Sequence, residues 1–115
     1  MLLEEVQRIY LIHGFDSGGS FSLNLATNRT FEDTSKFYHF LVAVDTTQGT
    51  STNRVKFYVD GDQVTSLSST TYPAQDATYG TNQTSVKQAV GYYPYNGTRY
   101  LDGYIAEFNL IDGQA

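Results

Sequence analysis

The central third of the chain, residues 37–64, constrains its fold more than any other stretch. Residues 54–60 alternate between polar and apolar side chains, as a strand with one buried face does. The apolar positions of this strand are Val55, Phe57 and Val59. Asp60 and Gly61 follow directly, and this dipeptide favours the positive φ angles of a tight hairpin turn. The stretch therefore predicts a β-hairpin at the centre of an all-β core.

The strand predicted before this hairpin, residues 37–45, has apolar side chains on both faces. Such a pattern is typical of a strand in the middle of a sandwich, with both faces covered. His39 lies within it, and we expect a packed, hydrogen-bonded core histidine there. After the turn, residues 63–65 are expected to return as the next strand.

Composition agrees with an all-β protein and limits the partners. Ten Tyr and seven Phe occur without any Trp, which suits pleated sheets. The net charge of −5 comes without a basic patch, so neither nucleic acid nor anionic lipid is an expected partner. There is no Cys for a disulfide or thiolate site, and no signal peptide or apolar run of membrane-spanning length. One domain, residues 1–115, is predicted.

The remaining strands are predicted from alternation between turn signals. The start of the chain fits a helical stripe as well as a strand; a strand over about residues 8–14 is favoured, preceded by helical or frayed residues. Residues 66–84 are expected to form a long polar loop. The other predicted strands span residues 20–26, 85–93 and 100–112, with a short edge strand within residues 31–36. About seven to nine strands are therefore expected, in an antiparallel sandwich or jelly roll.

Four motifs occur in a specific order along the second part of the chain. They are an aromatic-x-His strand ending in Asp (residues 37–45), Tyr-Val-Asp-Gly (58–61), Val-Gly (90–91) and Leu-Asp-Gly-x-Ile-x-Glu (101–107). In this order they resemble the laminin G-like and pentraxin-like branch of the concanavalin A-like lectin/glucanase superfamily. The ending DGYIAEFNLIDGQA is most similar to laminin G-like domains of phage and marine environmental viral structural proteins.

The resemblance implies a two-sheet antiparallel jelly-roll sandwich with a binding or structural role. Two departures stand out: Phe37 occupies the place of a usual Trp, and the front of the chain is short for this family. The domain is therefore expected to be a shortened version, or one completed by a second chain. An exposed sheet edge of this kind favours a homo-oligomer.

Calcium is the cofactor that the resemblance implies, held by oxygen ligands of loops at one rim. No regular D-x-D-x-D-G loop is present. Asp60 and Asp62 flank a turn glycine, which hairpin chemistry alone would explain. Metal candidates are Asp60, Asp62 and Asp102, and a wider set of oxygen ligands adds Asp45, Asp76 and Asn109. Glu107 is interpreted as a structural acid bonded to neighbouring backbone, with a ligand or metal role as the alternative.

A tyrosine-rich loop is the candidate ligand site. Sugar binding requires exposed aromatic rings that stack on pyranose faces, beside hydrogen-bonding groups. Residues 92–100 have this composition, and the polar stretch 72–79 is placed to join them. An equally weighted alternative is that two of these tyrosines only cap the core. The candidate ligand-binding residues are Tyr92, Tyr93, Tyr95, Asn96, Arg99 and Tyr100.

No catalytic constellation is present, so we expect no enzymatic activity. The glucanase branch of the superfamily that this chain resembles carries E-x-D-x-x-E or E-x-D-x-E on one strand, and neither spacing occurs here. The acidic pairs Glu4-Glu5 and Glu32-Asp33 are adjacent, so their side chains would point to opposite faces of a strand. The two histidines lack a nucleophile elbow or an H-E-x-x-H context.

The leading hypothesis is a non-catalytic, lectin-like domain that recognises carbohydrate on a host or cell surface, as part of a phage or viral structural protein. Its expected location is the virion or an extracellular surface. The alternative is a structural virion or assembly domain that acts through protein–protein contacts and binds no sugar.

Overall fold

Seven strands form two antiparallel sheets in the computed structural model, which describes residues 4–6, 8–15, 21–33, 35–79, 89–91 and 100–113. The first sheet has the order β1-β2-β3-β7 and the second β4-β5-β6. A single 3-10 turn, Ser51–Asn53, is the one helical element of the described residues. The strands are β1 Glu4–Val6, β2 Arg8–Phe15, β3 Phe21–Thr27, β4 Phe40–Val44, β5 Val55–Val59, β6 Asp62–Gln63 and β7 Leu67–Thr71.

The predicted hairpin is confirmed in the second sheet. β4 and β5 pair along five residues, from Phe40 opposite Val59 to Val44 opposite Val55. The three apolar side chains of β5 are at most 3% exposed, and Lys56 and Tyr58 between them are half-buried. Asp60 and Gly61 have φ angles of 51° and 89°, the left-handed pair that a type I′ turn requires. This turn returns the chain into β6.

β3 is one of the two inner strands of the first sheet, paired with β2 on one side and β7 on the other. The strand predicted over residues 20–26 is confirmed, and its Leu23 and Leu25 point into the core, at 2% and 1% exposed. Ala26 and Thr27 are also fully buried, which strict alternation does not predict. The register between β3 and β7 shifts between Ala26 and Thr27, and this irregularity accompanies the loss of alternation.

The two sheets pack face to face through one cluster of buried side chains. Leu23 and Leu25 come from β3, whereas Val55, Phe57 and Val59 come from β5. Half-buried aromatic rings extend the cluster, among them Phe40, whose ring stacks on that of Phe57 at 5.8 Å. The described residues thus form a two-sheet antiparallel sandwich, and the predicted all-β class is confirmed.

The strand predicted over residues 37–45 is shorter than expected. β4 begins at Phe40, and Phe37 before it is 70% exposed. His39 is exposed as well, so its prediction as a core residue is wrong. The backbone of His39 forms two hydrogen bonds with Asp60. The His39 N–H donates to the Asp60 carboxylate at 2.9 Å, and the Asp60 N–H donates to the His39 carbonyl at 2.9 Å. These bonds close the hairpin but leave the imidazole outside it.

Three predictions in the rest of the described chain need correction. Residues 4–6 are neither helical nor frayed, because they form β1 and pair with β2. The expected loop over residues 66–84 begins with β7, whose Thr70 pairs with Leu25 of β3. Of residues 31–36, those described contain no strand. There Phe31 packs edge-on against Tyr38 and Phe40, which holds the segment over the core without a ladder.

The strand predicted over residues 100–112 is wrong. Tyr100 forms an isolated bridge, and residues 101–113 are irregular and exposed. Glu107 has a φ angle of 55°, which interrupts an extended conformation in the middle of the predicted strand. The predicted strand over residues 85–93 lies outside the described residues except for residues 89–91, which are not in a strand. No helix in the described parts of the chain is long and apolar enough to cross a membrane.

Candidate functional site

The outward face of the β4–β5 pair carries the side chains that the core does not use. Because directly paired residues point to the same face, Ala43 lies beside Lys56 and Leu41 beside Tyr58. Leu41 is 45% exposed, and the Tyr58 ring next to it is half-buried. This face therefore offers an apolar patch, a phenol and an ammonium group in one row.

A polar cleft lies at the end of this face, where β4 runs into the following loop. Its volume is about 160 Å³. Every polar side chain that lines it can donate or accept hydrogen bonds in several directions. The lining residues are Ala43, Asp45, Gln48, Asn53 and Lys56. We refer to this cavity as the polar cleft.

Among the described residues that line the polar cleft, Asp45 is the only carboxylate. Its Oδ1 accepts from the Thr47 backbone N–H at 3.1 Å and from the Thr47 hydroxyl at 2.6 Å, and its Oδ2 accepts from the Gln48 amide at 2.6 Å. These bonds, that from the Thr47 hydroxyl foremost, lower the pKa of Asp45 below its ordinary value of 3.8. A carboxylate has about four acceptor positions, so roughly one remains on Oδ2 for a ligand.

Arg54 fixes the loop that carries Asp45. Its Nε donates to the Gln48 carbonyl at 2.7 Å, and its two terminal nitrogens donate to the carbonyls of Gly49 and Pro73, each at 2.9 Å. Pro73 is fully buried, so the guanidinium group joins the loop to the core. A planar guanidinium suits this task because its donors diverge in a rigid fork. The loop around the polar cleft is therefore held in place without a ligand.

A second cavity opens between the two sheets, at the corner where the chain passes from β6 to β7. Its volume is about 260 Å³. Its lining combines core side chains of β3 and β5, half-buried apolar groups and exposed polar groups. The lining residues are Leu25, Thr52, Asn53, Val55, Lys56, Phe57, Gln63, Val64, Thr65, Leu67 and Tyr72. We refer to this cavity as the inter-sheet cleft.

The tyrosine-rich loop is described only at its margins. Tyr100 is 65% exposed, as a ligand-stacking residue would be. Next to it, the Leu101 N–H donates to the Gly91 carbonyl at 2.8 Å, which brings the two ends of residues 92–100 together. The other candidates, Tyr92, Tyr93, Tyr95, Asn96 and Arg99, lie outside the described residues. Their role stays a prediction.

The metal candidates are not brought together. Within the described ranges, no group of three or more Asp, Glu or His side chains is arranged to hold a metal ion. Asp60 is exposed and receives the His39 N–H, and Asp62 and Asp102 are exposed as well. Calcium requires six to eight oxygen ligands, so a calcium site would need ligands besides these, and their role stays a prediction.

Of the residues that line the polar cleft, only Asp45 is predicted from the sequence, as an oxygen ligand of a metal ion. One signal was available, because alternation in residues 54–60 already places Lys56 and Tyr58 on the outward face. For Gln48 and Asn53, no sequence pattern indicates a place in the cleft, because a loop and a 3-10 turn carry them there. Arg54 holds Gln48 in place through one local bond, and its bond to Pro73 reaches nineteen residues along the chain.

Comparison with known proteins identifies the family. A laminin G-like family model described as the Concanavalin A-like lectin/glucanases superfamily matches residues 4–114. Searches of curated proteins and of solved structures returned no significant match. The family match spans both sheets and the candidate site. The chain therefore belongs to the concanavalin A-like lectin/glucanase superfamily, as a laminin G-like domain.

Proposed function

We propose that this domain is a non-catalytic, carbohydrate-binding module that uses the outward face of the β4–β5 pair. The observation that carries the proposal is the polar cleft, in which one carboxylate, two amides and one ammonium group surround about 160 Å³ beside the half-buried Tyr58 ring and the exposed Leu41. Membership of a superfamily of lectins and glucanases supports a binding role in general.

The chemistry of the polar cleft suits a sugar with several hydroxyl groups. A hydroxyl would donate to the remaining acceptor position of Asp45 Oδ2, while Lys56 and Asn53 would donate to hydroxyl or ring oxygens. Tyr58 lies two residues further along the same face of β5, roughly 7 Å away, which is within the width of a pyranose ring. A sugar in the cleft would thus meet both polar groups and an apolar surface.

Two features support binding without catalysis. Asp45 is the single carboxylate among the described residues that line the polar cleft, whereas glycoside hydrolysis requires a pair of carboxyl groups across the bond. The hydrogen bonds that lower the pKa of Asp45 favour its ionised form over the protonated form that a general acid requires. We further propose that the glycan belongs to a host or cell surface and that the domain is part of a phage or other viral structural protein, which rests on the similarity of the final motif.

A glycan array tests the proposal, run on protein sized by light scattering and in buffers with and without a calcium chelator. For any glycan that binds, Lys56→Met is expected to weaken affinity about tenfold or more, because it removes a charged hydrogen bond. Lys36→Met is the matched control, since Lys36 is exposed and lies over the ring of Tyr38. Its affinity should stay within about twofold of the unchanged protein.

The same array separates the polar cleft from the tyrosine-rich loop. If Tyr93→Ala or Tyr95→Ala abolishes binding while Lys56→Met leaves it intact, the loop is the site and the polar cleft is not. If no glycan binds with or without calcium, the carbohydrate proposal is wrong. Loss of binding only after chelation would require a calcium site outside the described residues.

A second candidate function, a structural assembly domain, is favoured by the exposed C-terminal segment. Among the described residues, seven of the ten exposed large apolar side chains lie between residues 100 and 111. They are 43–91% exposed and present on the order of 800 Å², one partner's share of a standard protein–protein interface. The seven are Tyr100, Leu101, Tyr104, Ile105, Phe108, Leu110 and Ile111.

Light scattering over a range of protein concentrations tests this second function. An assembly domain should form a dimer or larger oligomer that Phe108→Asp disrupts. The control, Thr71→Asp, places the same charge at an exposed position of β7 and should leave the oligomer intact. A protein that stays monomeric at all concentrations would exclude self-assembly through this segment.

A further inference from the structure

We infer that this domain dimerises by strand exchange, in which residues 104–110 of one copy add to the edge of β4 in a second copy. This inference rests on the second function proposed above, the assembly domain, and specifies its surface and its partner. Two features of the described chain carry it. One is an apolar sheet edge at β4, and the other is an exposed segment with an apolar residue at every second position.

β4 is the least protected edge of the two described sheets. Natural proteins protect an edge by keeping its strand short or by placing charges and proline on it. The edge strand β1 has three residues, two of them glutamate, and the edge strand β6 has two residues, one of them aspartate. The edge strand β7 presents four exposed Ser and Thr side chains. β4 has five residues, all of them apolar.

The core is also less well covered along β4 than along β5. Val55, Phe57 and Val59 of β5 are at most 3% exposed, whereas their partners on β4 are half-buried. A further strand beside β4 would extend the second sheet and bring its own apolar side chains next to these partners. The partners are Val44, Val42 and Phe40.

The backbone of β4 directs hydrogen-bonding groups to this edge. In an antiparallel pair, residues that exchange hydrogen bonds with the partner strand alternate with residues whose N–H and C=O groups point away from it. The Asp45 N–H donates to the Arg54 carbonyl at 2.8 Å, and the Asp60 N–H donates to the His39 carbonyl at 2.9 Å. The odd-numbered residues of β4 therefore bond to β5. Val42 and its even-numbered neighbours direct their N–H and C=O groups to the edge.

Residues 104–110 have the pattern that this edge requires. In an extended conformation, Tyr104, Phe108 and Leu110 share one face, and they are 56–91% exposed in the single chain. Seven residues are enough to span the five of β4. Glu107 has a φ angle of 55°, which is unfavourable for a residue with a Cβ, and pairing as a strand would relieve this strain.

Charge complementarity favours one register. When the face with Tyr104 and Phe108 is turned to the core, Glu107 lies on the outward face of the extended sheet. Opposite Ala43, it would be separated from Lys56 by this small residue alone, because Ala43 is paired with Lys56. The same neighbours meet whether the added strand runs parallel or antiparallel to β4.

The partner is a second copy, because one chain carries both the edge and the segment. In a symmetric dimer, each copy donates one segment and accepts one, so the same contacts form twice. The exposed apolar side chains of two C-terminal segments present about 1,600 Å² together, which is the size of a standard protein–protein interface. Within one chain, the large apolar side chains of residues 104–110 stay at least 50% exposed, so the segment does not cover its own edge.

Cross-linking between two single-cysteine variants tests the inference, because the unchanged chain has no cysteine. The Ala43→Cys and Glu107→Cys proteins are mixed, oxidised and identified by mass spectrometry. We expect a disulfide-linked heterodimer, since opposite residues on neighbouring strands have Cα atoms about 5 Å apart, within reach of a disulfide. The matched control is Ser69→Cys, at an exposed position of the edge strand β7. Its yield of heterodimer with Glu107→Cys should be about tenfold lower.

A second pair of variants tests the backbone bonds of the edge. Val42→Pro removes the N–H that points away from β5, at a position where an edge strand tolerates proline. Light scattering should show a dimer dissociation constant raised about tenfold or more. Val42→Ala keeps the N–H and should raise the constant by no more than about threefold. Thermal unfolding confirms that both variants fold, and if Val42→Pro does not, the cross-linking decides.

Four results would overturn the inference. A protein that is monomeric at all concentrations excludes both the exchange and self-assembly. If the protein dimerises but Ser69→Cys cross-links as readily as Ala43→Cys, or Val42→Pro weakens the dimer no more than Val42→Ala, assembly stands and the edge of β4 is not its surface. If a chain with both Ala43→Cys and Glu107→Cys forms its disulfide internally and stays monomeric, the segment pairs with its own β4. Glycan binding is tested independently by the array.

Discussion

Two stretches of the chain have an apolar residue at every second position, β5 and residues 104–110, but they occupy opposite environments. In β5, these side chains are at most 3% exposed and form the centre of the core. In the second stretch, Tyr104, Phe108 and Leu110 are 56–91% exposed. Alternation decides which side chains share a face, whereas packing against a second layer, such as the opposite sheet, decides whether that face is buried.

The backbone of the two stretches shows the reason. β5 lies between β4 and β6, and its positive φ angles come after the strand, in the turn. In the C-terminal segment, the positive φ of Glu107 falls within the alternating stretch. A backbone bond from the Leu101 N–H to the Gly91 carbonyl ties this segment to the preceding part of the chain. The hairpin is therefore a cooperative part of the fold, and the C-terminal segment is available to a partner.

The largest expected effect compares one phenylalanine from each stretch. Phe57→Ala should lower the free energy of unfolding by about 3–5 kcal/mol, because the ring is buried between the sheets and stacks on Phe40. Phe108→Ala should change it by less than about 0.5 kcal/mol, because the ring is 62% exposed. Urea unfolding followed by circular dichroism measures both. A loss above about 2 kcal/mol for Phe108→Ala in a monomeric protein would show that the segment packs on its own domain.

The β4–β5 hairpin and strand β3 could be predicted from the sequence because nearby residues determine them. Alternation gave the buried face of β5, and Asp60-Gly61 gave the turn. The register shift that buries Ala26 and Thr27 together depends on pairing with β7, forty residues away, and no local pattern contains it. The same holds for the C-terminal segment, whose burial depends on a partner strand.

The candidate site divides in the same way. Lys56 and Tyr58 follow from the alternation of β5, whereas Gln48 and Asn53 are carried to the polar cleft by the loop and the 3-10 turn between β4 and β5, which Arg54 ties to Pro73. The tyrosine-rich residues 92–99, whose composition favours a sugar site, lie outside the described residues, and their role stays a prediction. Composition indicates which chemistry a loop can support, but the long-range bonds decide which residues meet.

The next prediction compares the network of hydrogen bonds made by Arg54 with a single hydrogen bond made by Asn109. Arg54→Met removes three bonds that join the loops of the polar cleft, one of them to the buried Pro73. We expect a loss of about 2 kcal/mol in the free energy of unfolding and loss of glycan binding. Asn109→Ala, which removes one bond to the backbone of Glu107 two residues away, should change neither. If Arg54→Met leaves the affinity for glycan unchanged, the polar cleft is not the binding site.

A smaller effect is expected from the turn glycines. Gly61 and Gly113 have similar positive φ angles, 89° and 81°, and an added Cβ would meet no atom within 4 Å at either position. Only backbone strain therefore distinguishes Ala from Gly. Gly61→Ala should cost about 1–2 kcal/mol, because β4 and β5 hold the turn in its conformation. Gly113→Ala should cost almost nothing, since the C-terminal segment can relax. Equal losses in thermal unfolding would show that both regions belong to one cooperative unit.

The smallest effect concerns pH and compares Asp45 with Asp102. Hydrogen bonds from Thr47 and Gln48 hold the pKa of Asp45 below its ordinary value of 3.8, so the folded state binds this proton less readily than the unfolded chain. Its contribution to stability is therefore complete above pH 3.8 and is lost as pH falls below that value through the lowered pKa.

Asp45→Asn should remove this acid-side part of the stability curve and weaken glycan binding at neutral pH. Asp102→Asn, at an exposed position that makes no hydrogen bond with other described residues, should leave the curve unchanged. Unfolding free energies measured from pH 5 down to acid unfolding decide the matter: two identical curves would mean that the bonds around Asp45 do not persist in solution, and the polar cleft would lose the feature that shapes it.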